Sequence, residues 1–345
     1  MKQITVYDIA QEAQVSVATV SRVLNGTAPV KASTRERVLE VINRHQFQPN
    51  ALARSLIKKE SGMIGMIMPD IGNPFFPEVF LGAEKEARAR GYAIFLCNTM
   101  GEQEKESEYL TLLQEKRVDG IIFLGGRINQ VRSKAELARE MADCAARLPV
   151  VLVNGNMPRV SLPRVMTDEA AGFRLAAQHL IGLGHREIRF IGGESSITAT
   201  VQKVQALKAV MEENGLPFQP DTVLYGGFSI ACGRKLMETV LAGEKRPTAV
   251  MCVNDNVAVG AVKAALEAGV HIPGELSVTG FDDTLLASSI TPELTTVSQN
   301  SHALGEYAVQ LLHQMIGNEK VKKLTVLEPQ LICRQSTGPA AFRQK

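Results

Sequence analysis

The pattern of apolar and polar positions along the chain changes once, near residue 60. Before that point apolar residues recur at helical spacing in three short stretches, ITVYDIAQEA, VATVSRVLN and TRERVLEVINRH. Thr5 and Ser16 precede the first two stretches and are expected to cap their helices. The third stretch is expected to turn inward Val38, Leu39 and Ile42. Two short helices and a tight turn, followed by a third helix, are typical of a helix-turn-helix domain, here residues 1–48.

A short polar segment separates this domain, the head, from the rest of the chain. The stretch QPNALARSLIKK has few apolar groups of its own and is followed by Glu60-Ser61-Gly62. A helix this short is marginal in isolation because nucleation is unfavourable. We therefore interpret residues 49–60 as a linker or hinge helix.

From Met63 onward, apolar runs of strand length alternate with amphipathic helices. Runs such as MIGMIMPD, GIIFLGG and TAVMCVN are typical of parallel strands that are buried on both faces. Their number exceeds what one six-stranded sheet holds, so the pattern predicts a two-lobed α/β body over residues 61–339, followed by a tail at 340–345. In such sheets ligands bind outside the carboxyl ends of the strands.

Charge divides the chain at the same place. The whole sequence of 345 residues carries 38 Lys+Arg and 36 Asp+Glu, a net charge of +2. Residues 1–60 hold nine bases and five acids, a net charge of +4, so the remainder carries −2. A basic end on a slightly acidic body indicates a nucleic-acid partner for that end, although short segments also vary by a few charges without functional meaning.

Several classes of protein are disfavoured by what the sequence lacks. No apolar run is long enough to span a membrane, and the amino terminus has no apolar signal region, so cytoplasmic residence is expected. The five cysteines form no CxxC pair and the six histidines no HExxH motif, so neither a metal site nor a cofactor is expected. GxGxxG, GxxxxGK[ST] and GxSxG motifs are also absent, and a sugar-acting α/β enzyme is a weaker alternative.

The motifs resemble those of the LacI/GalR family of transcriptional regulators. The resemblance rests on VYDIAQEAQVSVATVSRVLNG, TRERVLEVI, QPNALARSL, IMPDIGNPFF, VDGIIF, GHREIRFIGG, VNDNVAVGA and GFDDTLLASSITPELTTVSQ. It implies a small all-α helix-turn-helix head with a hinge helix, then an α/β two-lobed body like the periplasmic binding proteins, with parallel sheets. It also implies crossovers between the lobes near residues 164–168, 291–299 and 322–330.

The resemblance further implies a repressor of carbohydrate-utilisation genes. Such a protein binds double-stranded operator DNA of pseudo-palindromic sequence as a homodimer, and a sugar or sugar derivative between the lobes changes its affinity. Two alternatives stay open, a cytoplasmic sugar-binding protein and a catabolite-control regulator that uses a phosphocarrier-protein corepressor.

The resemblance places the second helix in the major groove and the hinge helix in the minor groove of DNA. The residues implied to contact DNA are Tyr7, Ser16, Val17, Ala18, Thr19, Ser21, Arg22, Asn25, Lys31, Asn50, Ala53, Arg54 and Leu56. Arg22 suits the paired acceptors of a guanine, and Leu56 suits a wedge between base steps. The alternatives are surface or capping roles for Thr19 and Ser21, and packing of Leu56 against its own lobe.

Nine residues of the body are candidates for the effector site. They are Asn73, Phe75, Phe76, Asn154, Lys203, Phe228, Asn254, Asp282 and Gln299. The phenylalanines are alternatively ordinary core residues. Lys203 stands where the resemblance leads one to expect an arginine, and a lysine supplies a point charge in place of a planar fork. A neutral sugar, a phosphorylated or acidic sugar and a lost effector response therefore all stay open.

Overall fold

The structure is a computed structural model that describes residues 4–25, 28–45 and 61–341. The chain divides into two compact units, Met1–Gly62 and Met63–Lys345. The hinge candidates Asn50, Ala53, Arg54 and Leu56 lie outside the described residues, as does the side chain of Asn25.

The first unit contains three helices, α1 (Val6–Glu12), α2 (Val17–Asn25) and α3 (Ala32–Arg44). Thr5 begins α1 with a capping box, since its hydroxyl accepts a hydrogen bond from Asp8 N while Asp8 accepts one from Thr5 N. Ser16 caps α2 by accepting a hydrogen bond from Thr19 N at 3.2 Å. Both expected caps are therefore present.

The core of the first unit brings one apolar stripe from each helix together. Ile9, Val20 and Val38 are its fully buried centre. Val41 and Ile42 also face inward, but Leu39 is 38% exposed, so its predicted inward position is wrong. The inward stripe of α3 follows positions 38, 41 and 42, and position 39 lies about 100° around the helix from position 38.

The second unit alternates strands and helices as the sequence predicts. Its strands are β1 (Met63–Met68), β2 (Ala93–Asn98), β3 (Gly120–Leu124), β4 (Val150–Val153), β5 (Arg164–Thr167), β6 (Ile188–Ile191), β7 (Val223–Leu224), β8 (Ala249–Cys252), β9 (Ser277–Thr279), β10 (Thr296–Ser298), β11 (Leu324–Leu327) and β12 (Gln330–Ile332). Its helices are α4 (Phe75–Ala89), α5 (Gln103–Glu115), α6 (Ala135–Ala145), α7 (Glu169–Gly182), α8 (Thr198–Glu213), α9 (Ile230–Ala242), α10 (Asp255–Glu267), α11 (Leu285–Ser289) and α12 (Ser301–Ile316). Two short 3₁₀ helices lie at Gly126–Asn129 and Pro220–Thr222.

Two parallel sheets define two lobes. The first lobe is built on a six-stranded sheet of order β11-β5-β4-β3-β1-β2, and the second on a four-stranded sheet of order β7-β6-β8-β9. In the first lobe α4 and α12 cover one face and α5 and α6 the other. In the second lobe α7, α8, α9 and α10 share one core with the sheet. The predicted α/β architecture with parallel sheets is confirmed.

The chain passes between the lobes three times, after β5, after β10 and after β11. The antiparallel pair β10-β12 belongs to these connections. No helix among the described residues is both long and apolar enough to cross a membrane.

Each lobe contains one pair of helices in very close contact. In the first lobe, a Cβ on Gly82 of α4 would overlap the carbonyl oxygen of His302 of α12. In the second lobe, a Cβ on Gly233 of α9 would overlap the carbonyl oxygen of Val257 of α10. Glycine at these positions lets the backbones of the two paired helices touch. This contact fixes the position of the two helices relative to each other.

A buried histidine attaches the carboxyl-terminal segment to the second lobe. His185 Nε2 lies 3.0 Å from the carbonyl oxygen of Gly338, and its Nδ1 lies 2.9 Å from the hydroxyl of Thr248. Burial lowers the pKa of His185 below its ordinary value of 6.5. The unfolded chain therefore takes up a proton more readily than the native one, and this histidine favours the native state less as the pH falls through 6.5.

We expect the stability difference between the wild type and His185→Gln to shrink between pH 8 and pH 5. Urea unfolding at four pH values across this range measures it. His302→Gln, at an exposed position, is the control and is expected to follow the wild-type profile. A difference that stays constant with pH would contradict the assignment of a neutral native His185.

Candidate functional site

The exposed side of the head is formed by α2 and the start of α1. Ala18 and Arg22 are exposed and lie one helical turn apart on α2, and Tyr7 of α1 is 72% exposed. Val17 is half-buried and packs partly against the head core. The predicted DNA-reading residues Ala18 and Arg22 therefore share one accessible face.

Two acids of the head are engaged in ion pairs, whereas two of its bases have no salt bridge among the described residues. The acids Glu12 and Glu40 are both paired with Arg44, at 3.0 and 2.9 Å. Arg22 and Lys31, by contrast, have no salt bridge to any residue that the structure describes. Their charges are consequently available to phosphates, the sequence-independent component of DNA binding.

Two of the predicted DNA contacts also have a structural role. The hydroxyls of Ser16 and Thr19 lie 2.9 Å apart, and Ser16 caps α2. Ser21 is half-buried. The predicted cap by Ser16 is thus present, and phosphate contacts from Ser16, Thr19 and Ser21 stay predictions.

A cavity of about 520 Å³ lies between the lobes of the second unit. This volume is typical of small-ligand sites. The residues that line it are Ile128, Asn129, Gln130, Val131, Asn154, Gly155, Asn156, Pro158, Arg164, Met166, Thr167, Glu169, Thr198, Ala199, Val201, Gln202 and Gln205.

The lining is rich in groups that can form hydrogen bonds to a ligand. Within the described part of the chain, no side-chain hydrogen bond engages the amides of Asn129, Gln130, Asn156, Gln202 and Gln205. The guanidinium of Arg164 likewise has no salt bridge there. Each amide offers both donors and an acceptor, so the cavity suits a ligand with many hydroxyl groups.

The two lobes touch beside the cavity. Val131 N donates to Ser196 O at 2.8 Å, and Gln130 pairs with Ile197 in an antiparallel bridge. This contact, the lip, joins the loop after β3 to the loop before α8. The lip residues Gln130 and Val131 also line the cavity, so the segment that joins the lobes forms part of its wall.

A chain of hydrogen bonds between the half-buried Asn154 and the buried Gln299 and Asp282 connects the lobes at their crossovers. Asn154 Nδ2 donates to Gln299 Oε1 at 2.7 Å, and Gln299 Nε2 donates to Asp282 Oδ1 at 2.6 Å. Burial raises the pKa of Asp282, and the nearby ammonium of Lys203 partly opposes the shift. The structure thus brings four predicted effector residues close together, but of these only Asn154 lines the cavity.

Lys203 is held inside the second lobe. Its Nζ donates to the carbonyl oxygen of Val253 at 3.0 Å, lies 3.2 Å from Glu169 Oε2 and sits 3.7 Å from the ring centroid of Phe281. Lys203 is only 4% exposed and does not line the cavity. The ammonium of Lys203 therefore interacts with groups inside the protein and not with the cavity.

The remaining predicted effector residues lie elsewhere. Phe75 is buried in the core of the first lobe with Phe76 against its edge, and Phe228 packs partly against the core of the second. Asn254 caps α10 with its carbonyl oxygen and donates its amide to Phe228 O, so both its polar groups are used. Phe75 therefore contributes to the core and Asn254 to the cap of α10, and roles for both in ligand binding stay predictions.

Asn73 completes the set of predicted residues. Its side chain accepts a hydrogen bond from Phe75 N at 3.3 Å, next to the start of α4. Neither Asn73 nor the three phenylalanines line the cavity. Roles for Asn73, Phe76 and Phe228 in ligand binding stay predictions.

Most of the cavity lining, Glu169 included, was not among the residues predicted from the sequence, and neither was the buried Arg127, which precedes the lining residue Ile128. Glu169 directly follows the capping residue of α7, Asp168, in a position that reads as an ordinary first-turn acid. Arg127 follows a Gly-Gly pair after β3 and reads as a loop residue, yet it is completely buried. The available signal for both was their place just beyond the end of a parallel strand.

Both units match known protein families. Residues 5–50 match the model described as bacterial regulatory proteins, lacI family, and residues 177–337 match a periplasmic binding protein-like domain. The HTH-type transcriptional regulator DegA of Bacillus subtilis (strain 168) is 34% identical over 336 residues, which are 97% of this chain and 98% of that protein.

Solved structures agree with this comparison. The lac repressor dimer bound to operator and the anti-inducer ONPF superimposes with a TM-score of 0.87 at 26% identity, over 98% of this chain and 100% of that one. The complex of the transcriptional regulator CelR with cellobiose gives a TM-score of 0.72 at 26% identity, over 96% of this chain and 99% of that one.

Proposed function

The chain belongs to the lacI family of bacterial regulatory proteins, and from this premise we propose how it works as a transcriptional repressor. The family assignment expected from the sequence motifs is confirmed. We propose that the head binds a pseudo-palindromic operator as part of a homodimer. A polyhydroxylated ligand, a sugar or sugar derivative, enters the cavity between the lobes and changes the affinity for that operator.

The observation that carries this proposal is the cavity of unengaged amides between two lobes that already touch. A ligand that forms hydrogen bonds to both sides favours one arrangement of the lobes over others. Its effect on a distant equilibrium equals its difference in affinity for the two arrangements. The likeness to a cellobiose complex and to an operator complex supports both halves of the proposal.

At the DNA, α2 supplies the reading side chains. Arg22 is the proposed guanine contact, because two of its donors match the acceptor pair of that base in the major groove. Ala18 provides a small apolar surface beside it. The segment 49–60, with Asn50, Ala53, Arg54 and Leu56, is proposed as the minor-groove element.

The relative and the complexes above are named as regulators, which supports a role without catalysis. Among the described residues, the lining holds one carboxylate, Glu169, and that group is already paired with Lys203. Acid–base chemistry on a sugar commonly uses two carboxyl groups, one on each side of the reacting bond. The cavity therefore suits binding better than turnover.

The ligand half of the proposal is tested with Gln202→Ala/Gln205→Ala. Both side chains are exposed at the cavity, so the fold should survive their removal. Loss of two hydrogen bonds of about 1 kcal/mol each predicts a drop in affinity of about tenfold or more. A thermal-shift screen of sugars on the full chain finds the ligand, because ligand binding stabilises only the folded state. Calorimetry on the variants then measures the affinity.

Gln178→Ala is the matched control. Gln178 is an exposed amide on α7 that does not line the cavity, so its removal is expected to leave the affinity unchanged. If the wild type and the double variant bound the ligand with equal affinity, the cavity would not be the ligand site.

A further inference from the structure

Glu169 presents a carboxylate to the cavity at the start of α7. It lines the cavity, whereas its partner Lys203 lies behind it. The Oε2 atom of Glu169 is buried, and although it lies 3.2 Å from the ammonium, it forms no directed hydrogen bond. Oε2 therefore lies inside the lobe beside the ammonium, and the part of Glu169 that reaches the cavity is the rest of its side chain, which is 11% exposed.

Lys203 cannot offer its charge to a ligand in this arrangement. The carbonyl of Val253, the carboxylate of Glu169 and the ring of Phe281 occupy three sides of the ammonium. Asp282 also acts on it electrostatically. One cation thus faces two carboxyl groups, so this end of the cavity carries no net positive charge.

Within the described part of the chain, the cavity-lining cation without a salt bridge is Arg164, at the start of β5. Arg164 is the first residue of the four-residue strand β5, and Glu169 follows two residues after the end of that strand. At about 3.3 Å per residue the strand alone spans about 10 Å. The backbone of Arg164 therefore lies about one strand length away from that of Glu169.

We propose that Glu169 determines the specificity of the cavity. It accepts hydrogen bonds from ligand hydroxyl groups and excludes a phosphate or carboxylate from the end of the ligand that it contacts. The proposal rests on the proposed function, since it assigns a ligand class to the same cavity. Hydrogen bonds to an ionised acceptor are stronger than neutral ones, and two like charges at contact repel each other strongly.

The test compares neutral sugars with their acidic counterparts on the full chain. The probes are glucose, ribose and cellobiose, each beside its phosphate or its aldonic or uronic acid, and calorimetry measures each affinity. We expect the wild type to prefer the neutral member on the order of a hundredfold. In Glu169→Gln, which keeps the shape and removes the charge, this preference is expected to fall at least tenfold.

Glu212→Gln is the matched control. Glu212 also pairs with a lysine, Lys208 on the same helix α8, but at 3.7 Å on the exposed side and away from the cavity. It is expected to keep the wild-type preference. If Glu169→Gln folds poorly, Glu169→Gln/Lys203→Met removes both charges of the pair, a change that buried pairs often tolerate. It should also lose the preference.

The outcomes separate the two proposals. A wild type that binds an acidic sugar more tightly than its neutral counterpart overturns the role of Glu169 and leaves a ligand-binding cavity intact. An unchanged preference in Glu169→Gln does the same. A wild type that binds none of the probes, neutral or acidic, counts against the proposed function itself and this inference with it.

Discussion

Deletion of residues 1–60 is expected to abolish specific binding to operator DNA and to leave a folded body. Specific complexes are typically 10³-fold or more tighter than non-specific ones, so the expected loss of affinity is at least about a thousandfold. The deleted segment carries a net charge of +4 and the remainder −2, so the body alone also lacks general attraction to phosphates. The body is a compact unit of its own, Met63–Lys345.

The operator for this measurement is obtained by selection from random pseudo-palindromes with the full chain. Fluorescence anisotropy at two salt concentrations then compares the full chain, the truncated chain and Arg22→Met. The single substitution is expected to cost about 1–3 kcal/mol, the usual value of one bidentate base contact. A truncated chain that kept most of the affinity would contradict the assignment of DNA binding to the head.

Elements with strong local signals could be predicted from the sequence. Thr5 and Ser16 begin helices because their hydroxyls accept hydrogen bonds from backbone groups two or three residues on. Buried parallel strands such as Gly120–Leu124 were equally visible, since every residue of that strand is buried and apolar or glycine. These features depend only on neighbours in the sequence.

The cavity could not be predicted in the same way. Its lining converges from the loop after β3, the end of β4, β5 and α8, and no spacing rule relates these segments. Whether a polar side chain is free or used also depends on distant partners. Asn254 and Gln202 are both amides near strand ends or helix starts, yet the first caps α10 and the second faces the cavity.

The accessibility of a charged side chain is equally hard to predict from the sequence, as Lys203 shows. Its position in the sequence predicts an accessible cation and leaves an acidic ligand open. The structure surrounds it with Glu169, Asp282 and a backbone carbonyl, so the accessible group at this end of the cavity is the carboxylate. A single charged residue thus reveals little about a site until its neighbours in space are known.

Substitution of Arg127 by Met is expected to be among the most destabilising changes in the first lobe. The guanidinium is completely buried and donates to Glu106 Oε2 at 2.7 Å and to Glu140 Oε2 at 2.8 Å. It also donates to the hydroxyl of Ser107 at 2.8 Å. Removal of one partner from a buried ion pair leaves an uncompensated charge, which typically costs about 3–5 kcal/mol. Urea unfolding of the full chain measures this cost.

Arg174→Met is the control for the loss of an arginine. Arg174 also binds a glutamate through two nitrogens, but its pair with Glu213 is 34% and 53% exposed. Exposed pairs contribute about 1 kcal/mol or less, so this variant should unfold almost like the wild type. If Arg127→Met and Arg174→Met lost similar free energies of unfolding, burial of the Arg127 ion pairs would not explain the loss.

The pH dependence of unfolding tests whether the unpaired carboxyl group of Glu106 causes the loss of stability in Arg127→Met. Burial already raises the pKa of Glu106 in the presence of Arg127, and without the guanidinium it should rise further. A carboxyl group with a raised native pKa favours the folded state at low pH and loses this contribution as the pH increases. Arg127→Met should therefore cost less at pH 5 than at pH 8, and Arg127→Met/Glu106→Gln should recover stability at pH 8. If the cost were the same at both pH values and in the double variant, lost packing would explain it in place of the unpaired charge.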